Sequence, residues 1–262
     1  MTQKLTIQQI KQALALVEDL TDPLLETLTQ DSRKGVQRIL QQRIRQIENQ
    51  QALKVAYLER LRYESAILTD NPQAIIGGVD EVGRGPIAGP VVAACVVLPQ
   101  DTSHWYQVND SKSLSHDKRL ELAQMIQKEA KAYQIVEVSE SVIDEINIYQ
   151  ASRQAMKQAV ISLSLDLDHI LLDAMTLDLP TPQTSLIKGD QKSLSIAAAS
   201  IIAKVYRDQK MVELAAKYPE FGFDQHMGYP TKQHLQALQT YGKTPHHRQS
   251  FGPVMKVDHW YH

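Results

Sequence analysis

Asp80 and Glu81 close the apolar run AIIGGV and open the turn GRGP. Asp173 closes the run HILL, and Asp190 follows SLIKG just before a long helical segment. Adjacent acids occur elsewhere in the chain, Glu18–Asp19 and Asp144–Glu145 among them, so a pair alone means little. Position sets these four apart. Apolar runs of this kind read as buried strands, and the ligands of open α/β sheets gather at strand ends. Brought to one place, four carboxylates raise one another's pKa by whole units unless a cation compensates them. Oxygen donors without a matching His or Cys set suit Mg2+ or Mn2+ rather than zinc. Any one of these acids is explained as well by a strand cap or a turn; the three contexts together favour a metal site.

The turn that follows holds Gly83-Arg84-Gly85, with Gly89 further on. It differs from a dinucleotide fingerprint, because the third glycine stands one residue too far along and a strand-like run follows in place of a helix. Glycines on both sides of Arg84 would instead let bare backbone approach a sugar–phosphate. From Gln225 to Val257 there is no Asp or Glu, while Lys232, Lys243, Arg248, Lys256, His226, His234, His246 and His247 all fall there. That stretch reads equally well as a solvated basic face or as a phosphate-contacting surface.

The elements that must position these residues change in texture near residue 70. Up to Thr69 there is one Gly, Gly35, and one Pro, Pro23. Thr6 is a fitting N-cap for a helix carrying Ile7, Ile10, Ala13, Leu14 and Val17. A second pattern runs through Leu24, Leu25, Leu28, Val36, Leu40, Ile44 and Ile47, and a third helix is expected over Lys54 to Leu68 before Asp70-Asn71-Pro72 breaks it. Residues 1–70 therefore read as a helical module without a catalytic constellation. In residues 71–262, strands are expected at Ala74–Val79, Val91–Leu98, Tyr133–Val138, Ile170–Leu172 and Ser185–Ile187. Helices are expected at Ser115–Lys131, Ile148–Leu163 and Ser193–Tyr218. This is a mixed α/β sheet with helices on its faces. The chain has 262 residues, 43% hydrophobic and 22% charged, enough to bury a core without staples. One cysteine, Cys95, excludes a disulfide scaffold and a cysteine-built zinc site. The N-terminus lacks an apolar stretch of signal-peptide length, and Pro86–Pro99 is too short to span a bilayer. A cytoplasmic protein without membrane contact is expected.

Gly78 to Pro99 (GVDEVGRGPIAGPVVAACVVLP) resembles the opening strand and turn of the type 2 ribonucleases H, in particular the bacterial ribonuclease HII branch. The likeness continues through NDSKSLS (109–115), NIYQASRQAM (147–156), LLDAM (171–175), IKGDQKSLSIAAASIIAKVYRD (187–208), FGFDQHMGYPTKQH (221–234) and HRQSFGPV (247–254). The residues before 70 are similar to the N-terminal extension of the family's long members.

The resemblance implies a ribonuclease H-like fold, a five-stranded mixed sheet flanked by helices. It implies catalytic and metal-ligating roles for Asp80, Glu81, Asp173 and Asp190. It also implies that Gly83, Arg84 and Gly85 grip a ribonucleotide–deoxyribonucleotide junction and that Tyr229 stacks on the sugar after it. Ribonuclease HIII has Glu in place of the last Asp, so Asp190 and the helical extension favour HII. The expected substrates are RNA–DNA hybrids and duplex DNA with an embedded ribonucleotide, cut on its 5′ side to leave 5′-phosphate and 3′-hydroxyl ends. Two ions, Mn2+ or Mg2+, ~3.5–4 Å apart would hold the attacking water and the leaving oxygen. Asp80 is expected to bridge them, with Glu81 and Asp173 on the leaving-group side and Asp190 on the nucleophile side. Side chains alternate along a strand, so Glu81 must lie where the strand ends and the backbone turns. Lys112, Lys188 and Lys192, with Lys204 and Arg207, are candidates for backbone phosphates. Pro230 departs from the Gly of many members, which bears on substrate preference. A monomer suffices, and the tail Asp258–His262 shows no sliding-clamp motif. An HIII-like preference for long hybrids, or hybrid binding without cleavage, are the alternative readings.

Overall fold

The computed structural model describes residues 5–261, which divide into two compact units meeting at Leu58/Glu59. The first unit is helical: α1 (Ile7–Ala15), α2 (Pro23–Thr29) and most of α3 (Lys34–Arg60). Thr6 caps α1 through a reciprocal pair with Gln9, and Asp22 caps α2 in front of Pro23. Ile10, Leu14, Val17, Leu25, Leu28, Val36, Leu40 and Ile47 form its core, the residues whose spacing predicts it. The helix expected over Lys54–Leu68 is instead the end of α3 followed by α4 (Arg62–Asp70).

Helix α4 lies within the second unit, so the compact boundary precedes the change in sequence texture by one short helix. Tyr63 and Ile67 of α4 pack with Ile76, Leu171, Leu186 and Ile196. Buried Glu64 accepts hydrogen bonds at Oε1 from Ser193 Oγ (2.7 Å), Ser195 Oγ (2.7 Å) and Ser195 N (2.9 Å).

The second unit is built on five strands: β1 (Ile76–Val82), β2 (Val91–Val97), β3 (Ala132–Val138), β4 (His169–Asp173) and β5 (Gln183–Leu186). Their order is β3-β2-β1-β4-β5, antiparallel from β1 to β3 and parallel from β1 through β4 to β5. This is the mixed sheet of a ribonuclease H-like fold. Helix α5 (His116–Glu129) is capped by Ser115, and α6 (Glu140–Ile161) covers one face. Asn147, at φ 67°, breaks α6, and its Oδ1 accepts from the amides of Tyr149 and Gln150, so a new helix starts at the expected Ile148. Val79, Cys95, Ile170 and Leu172 pack there against Ala151, Ala155 and Met156.

The opposite face is covered by α7 (Leu194–Lys217), started by the side chain of Ser193. A methyl at Gly78 would overlap Ser195 and Ile196, so this glycine is what lets β1 lie directly on α7. Short helices α8 (Phe223–His226), α9 (Lys232–Tyr241) and α10 (Gly252–Met255) complete the chain. No described helix is long and apolar enough to cross a membrane.

Candidate active site

Strand alternation explains which acids meet. Val79 and Leu172 face the α6 core, while Gly78 and Leu171 face α7, so Asp80 and Asp173 emerge on the α7 face. The β1–β4 ladder ends at Val79–Leu172. Glu81 does not sit at a backbone turn: it remains in β1, opposite Ala93 of β2, and only its β4 side is open. Beyond that last rung its longer side chain reaches round the strand end. Asp80, Glu81 and Asp173 each bring a carboxylate oxygen within 4.8 Å of the others.

Asp190 stands apart from this trio, in the single turn Gly189–Gln191 between β5 and α7. That turn is tied to the trio by Gly189 N, which donates to Asp173 Oδ1 at 2.6 Å. Two neighbours were not singled out from sequence. Asp110 lies near enough to Asp190 to raise its pKa and caps the turn Ser111–Ser113, and Ser200 of α7, hydrogen-bonded to Ser111 Oγ at 3.0 Å, lies beside Asp80. Asp110 lies inside NDSKSLS, but no apolar run precedes it. Ser200 is one more small residue of a buried helix.

Burial and neighbouring charge raise the pKa values of Asp80, Glu81 and Asp190. Desolvation first, then the charges of Glu81 and Asp173, pushes Asp80 well above its ordinary value. Burial raises Glu81 to about 7, against the pull of Arg84, whose Nη1 is 3.4 Å from Glu81 Oε1. Asp190 rises to about 6 through desolvation, then Asp110 and Asp173. Glu81 Oε2 is buried without a hydrogen-bond partner among the described residues. An orphaned acceptor in an all-oxygen cluster, with carboxyls that resist ionising, is a fit for divalent cations.

The glycine turn leaves the end of β1. Gly83 has φ 96° and is buried, whereas Arg84 and Gly85 are exposed. A methyl on Gly85 would stand 3.2 Å from Tyr229 Cε1, so the turn and the half-exposed Tyr229 ring form one surface. Lys112, Lys188 and Lys192 are exposed, the latter two flanking Asp190. The acid-free stretch is no phosphate surface at three of its members, because His234, His247 and Arg248 are fully buried. Lys204 is bound to Asp208 at 2.6 Å. Arg207 is buried, donating to the carbonyls of Pro90, Met227 and Ala88. Neither is free for a phosphate, since burial and existing partners occupy them.

The sequence profile of ribonuclease HII matches residues 77–254, and that of the ribonuclease HII N-terminal domain matches 6–68. Ribonuclease HII of Bacillus cereus (strain G9842) is 50% identical over 252 residues, covering 96% of this chain and 97% of its own. Among solved structures, ribonuclease H2 from Pyrococcus horikoshii OT3 superposes with TM-score 0.61 at 28% identity, over 69% of this chain and 95% of that one. The ribonuclease HII solved in complex with PCNA from Archaeoglobus fulgidus gives TM-score 0.57 at 26% identity, over 66% and 93%.

Proposed function

The chain belongs to the ribonuclease HII family, endonucleases of the ribonuclease H type that act on RNA–DNA hybrids, and from that membership we propose that it also cuts duplex DNA on the 5′ side of a single embedded ribonucleotide, as a step in ribonucleotide removal. The observation that carries this reading is the convergence of Asp80, Glu81 and Asp173 within 4.8 Å at the end of β1, beside a glycine turn in contact with an exposed tyrosine. Asp80, Glu81 and Asp173 would hold one divalent ion, and Asp190 with Asp80 a second. Bound there, two such ions supply an activated water and neutralise charge on the leaving 3′-oxygen.

The remaining roles fall to the protein's own groups. Exposed Arg84 and Gly85 present backbone to the sugar, where the 2′-hydroxyl is the group that separates RNA from DNA. The Tyr229 ring offers a flat apolar face to the neighbouring sugar without reading base identity, so cleavage is expected to be nearly independent of sequence. Lys188 and Lys192 offer charge to phosphates on either side of Asp190, and Lys112 to one beside Asp110.

The test is a labelled DNA duplex with one ribonucleotide, incubated with Mn2+ or Mg2+ and resolved at single-nucleotide resolution beside an all-DNA duplex and a full hybrid. A single cut 5′ of the ribonucleotide, with the all-DNA duplex intact, is the expected result. Cleavage of the hybrid alone overturns the single-ribonucleotide reading.

A further inference from the structure

Two buried arginines face the glycine turn from behind, and no carboxylate among the described residues is hydrogen-bonded to either. Arg248 donates through Nε to Gly89 O (2.9 Å), through Nη1 to Pro86 O (2.7 Å) and Arg84 O (3.2 Å), and through Nη2 to Gly83 O (2.6 Å) and Gly89 O (2.7 Å). Peptide planes are rigid and trans, so a carbonyl turned one way sends the following amide the other way. With the carbonyls of Gly83 and Arg84 on the guanidinium, the amides of Arg84 and Gly85 face away from it, toward the exposed side of the turn. Burying a charged guanidinium is costly and pushes Arg248 down to about 9, through desolvation first and then neighbouring Arg207. An apolar side chain would fill the space at lower cost but would leave four carbonyls unpaired.

The residue before it braces the other half of the surface. Thr244 N donates to His247 Nδ1 (2.9 Å), which fixes that ring's proton on Nε2. His247 Nε2 therefore donates to His234 Nε2 (3.0 Å), which leaves His234 Nδ1 to donate to Tyr229 O (2.9 Å). This one-way relay needs both imidazoles neutral, and burial holds His234 at about 4 and His247 at about 3. Main-chain bonds join the same segments: Arg248 N to Ile87 O, Gly89 N to His246 O and Ile87 N to Gly228 O, each 2.9 Å.

We propose that the buried dipeptide His247-Arg248 is a positioning pair that sets the Gly83–Gly85 turn and the Tyr229 loop in register, so that recognition of a lone 2′-hydroxyl depends on two residues the substrate never touches. The proposal rests on the reading of the glycine turn and Tyr229 as ribonucleotide contacts. A full hybrid offers a 2′-hydroxyl at every step, so a loosened surface still finds one in register. A single junction offers one alone, and misplacement by an ångström can cost a hundredfold in rate.

The experiment compares kcat and KM on the single-ribonucleotide duplex and on a uniform hybrid, at saturating Mn2+, for R248K, H247N and H247Q. Asn can accept from Thr244 but cannot reach His234, whereas the terminal amide of Gln stands where Nε2 stood. R248K and H247N are expected to lose roughly ten- to a hundredfold in kcat/KM on the single-ribonucleotide duplex. Both should lose several times less on the hybrid, with unchanged Mn2+ affinity by titration calorimetry, and H247Q should recover most of the loss. H247N made in a Y229A background should add little further selectivity loss. Should R248K fail to fold, the H247N/H247Q contrast carries the test alone. Equal losses on both substrates, or no difference between H247N and H247Q, would overturn the proposal. If Y229A itself leaves selectivity unchanged, the reading of the surface has failed instead.

Discussion

At the scale of single residues, the proposed roles divide into groups for the chemical step and groups for the backbone of the nucleic acid. Asp80 is buried and hydrogen-bonded to the amide of Glu81 at 2.8 Å, so Asn fits the same space and keeps an acceptor. D80N is therefore expected to fold and to lose kcat by roughly a hundredfold or more, the scale of removing one electrostatic contact to a transition state. D190N should behave likewise, and near-normal turnover in either variant would break the carboxylate assignment. Lys188 and Lys192, proposed as phosphate contacts, should respond differently. Replacing both with Ala should raise KM by a similar factor on both substrates and flatten the dependence of binding on salt, measured by repeating the assay across NaCl concentrations. The convergence of Asp80, Glu81 and Asp173 was legible because they close apolar runs, a context that solvated carboxylates do not need. Arg207, His234, His247 and Arg248 were not legible as interior groups, since residue type alone reads as phosphate binding. Only the fold reveals that backbone carbonyls and other rings surround them.

At the scale of elements, the strands and most helix limits follow from apolar periodicity and caps, as at Thr6, Ser115 and Ser193. Two features did not. Asn147 ends a first segment of α6 whose residues, ESVIDEI, are too acidic and too few to show a helical stripe. The compact boundary at Leu58/Glu59 is hidden because α3 and α4 share one composition, and only Tyr63, Glu64 and Ile67 show where α4 belongs. A consequence concerns Asp190. Glu64 binds both Ser193 and Ser195, the residues that start α7 directly after the Asp190 turn. E64A should destabilise the second unit by about 2 kcal/mol, combining a lost cap with buried donors left unpaired. A chain beginning at Glu59 should keep most of the second unit's stability. One beginning at Asn71 should lose far more, because Ile76, Leu171, Leu186 and Ile196 then lose their cover. Thermal melts of the two truncations check this, and equal melting temperatures would show that α4 contributes nothing.

At the scale of the whole molecule, the metal-free chain carries two buried titrating sets whose pH dependences oppose each other. Glu81 near 7 and Asp190 near 6 stand above their ordinary 4.5 and 3.8, so the folded state keeps protons that the unfolded chain has released between those limits. Stability from this set is greatest at low pH and is lost as pH rises toward 7. His234 near 4 and His247 near 3 stand below their ordinary 6.5, so here the unfolded chain binds the extra protons. Stability from this set is full above about pH 6.5 and is lost as pH falls toward 3. In EDTA, melting temperature should therefore drop below about pH 4.5, change little where the two sets cancel, and decline again toward neutrality. The variants separate the limbs. D80N removes one of the repelling carboxylates and should raise the metal-free melting temperature at pH 7.5, by roughly 2–4 °C for each kcal/mol of repulsion relieved, while changing little at pH 4. Mn2+ should reverse the order, because an ion that binds only the folded state stabilises it by mass action and competes with protons for the same oxygens. Its addition should raise the parent's melting temperature more at pH 7.5 than at pH 5, and D80N's far less at either. A D80N variant no more stable than the parent in EDTA at pH 7.5 would mean that the acids at the strand ends do not repel one another, and would remove the electrostatic case for a cation there.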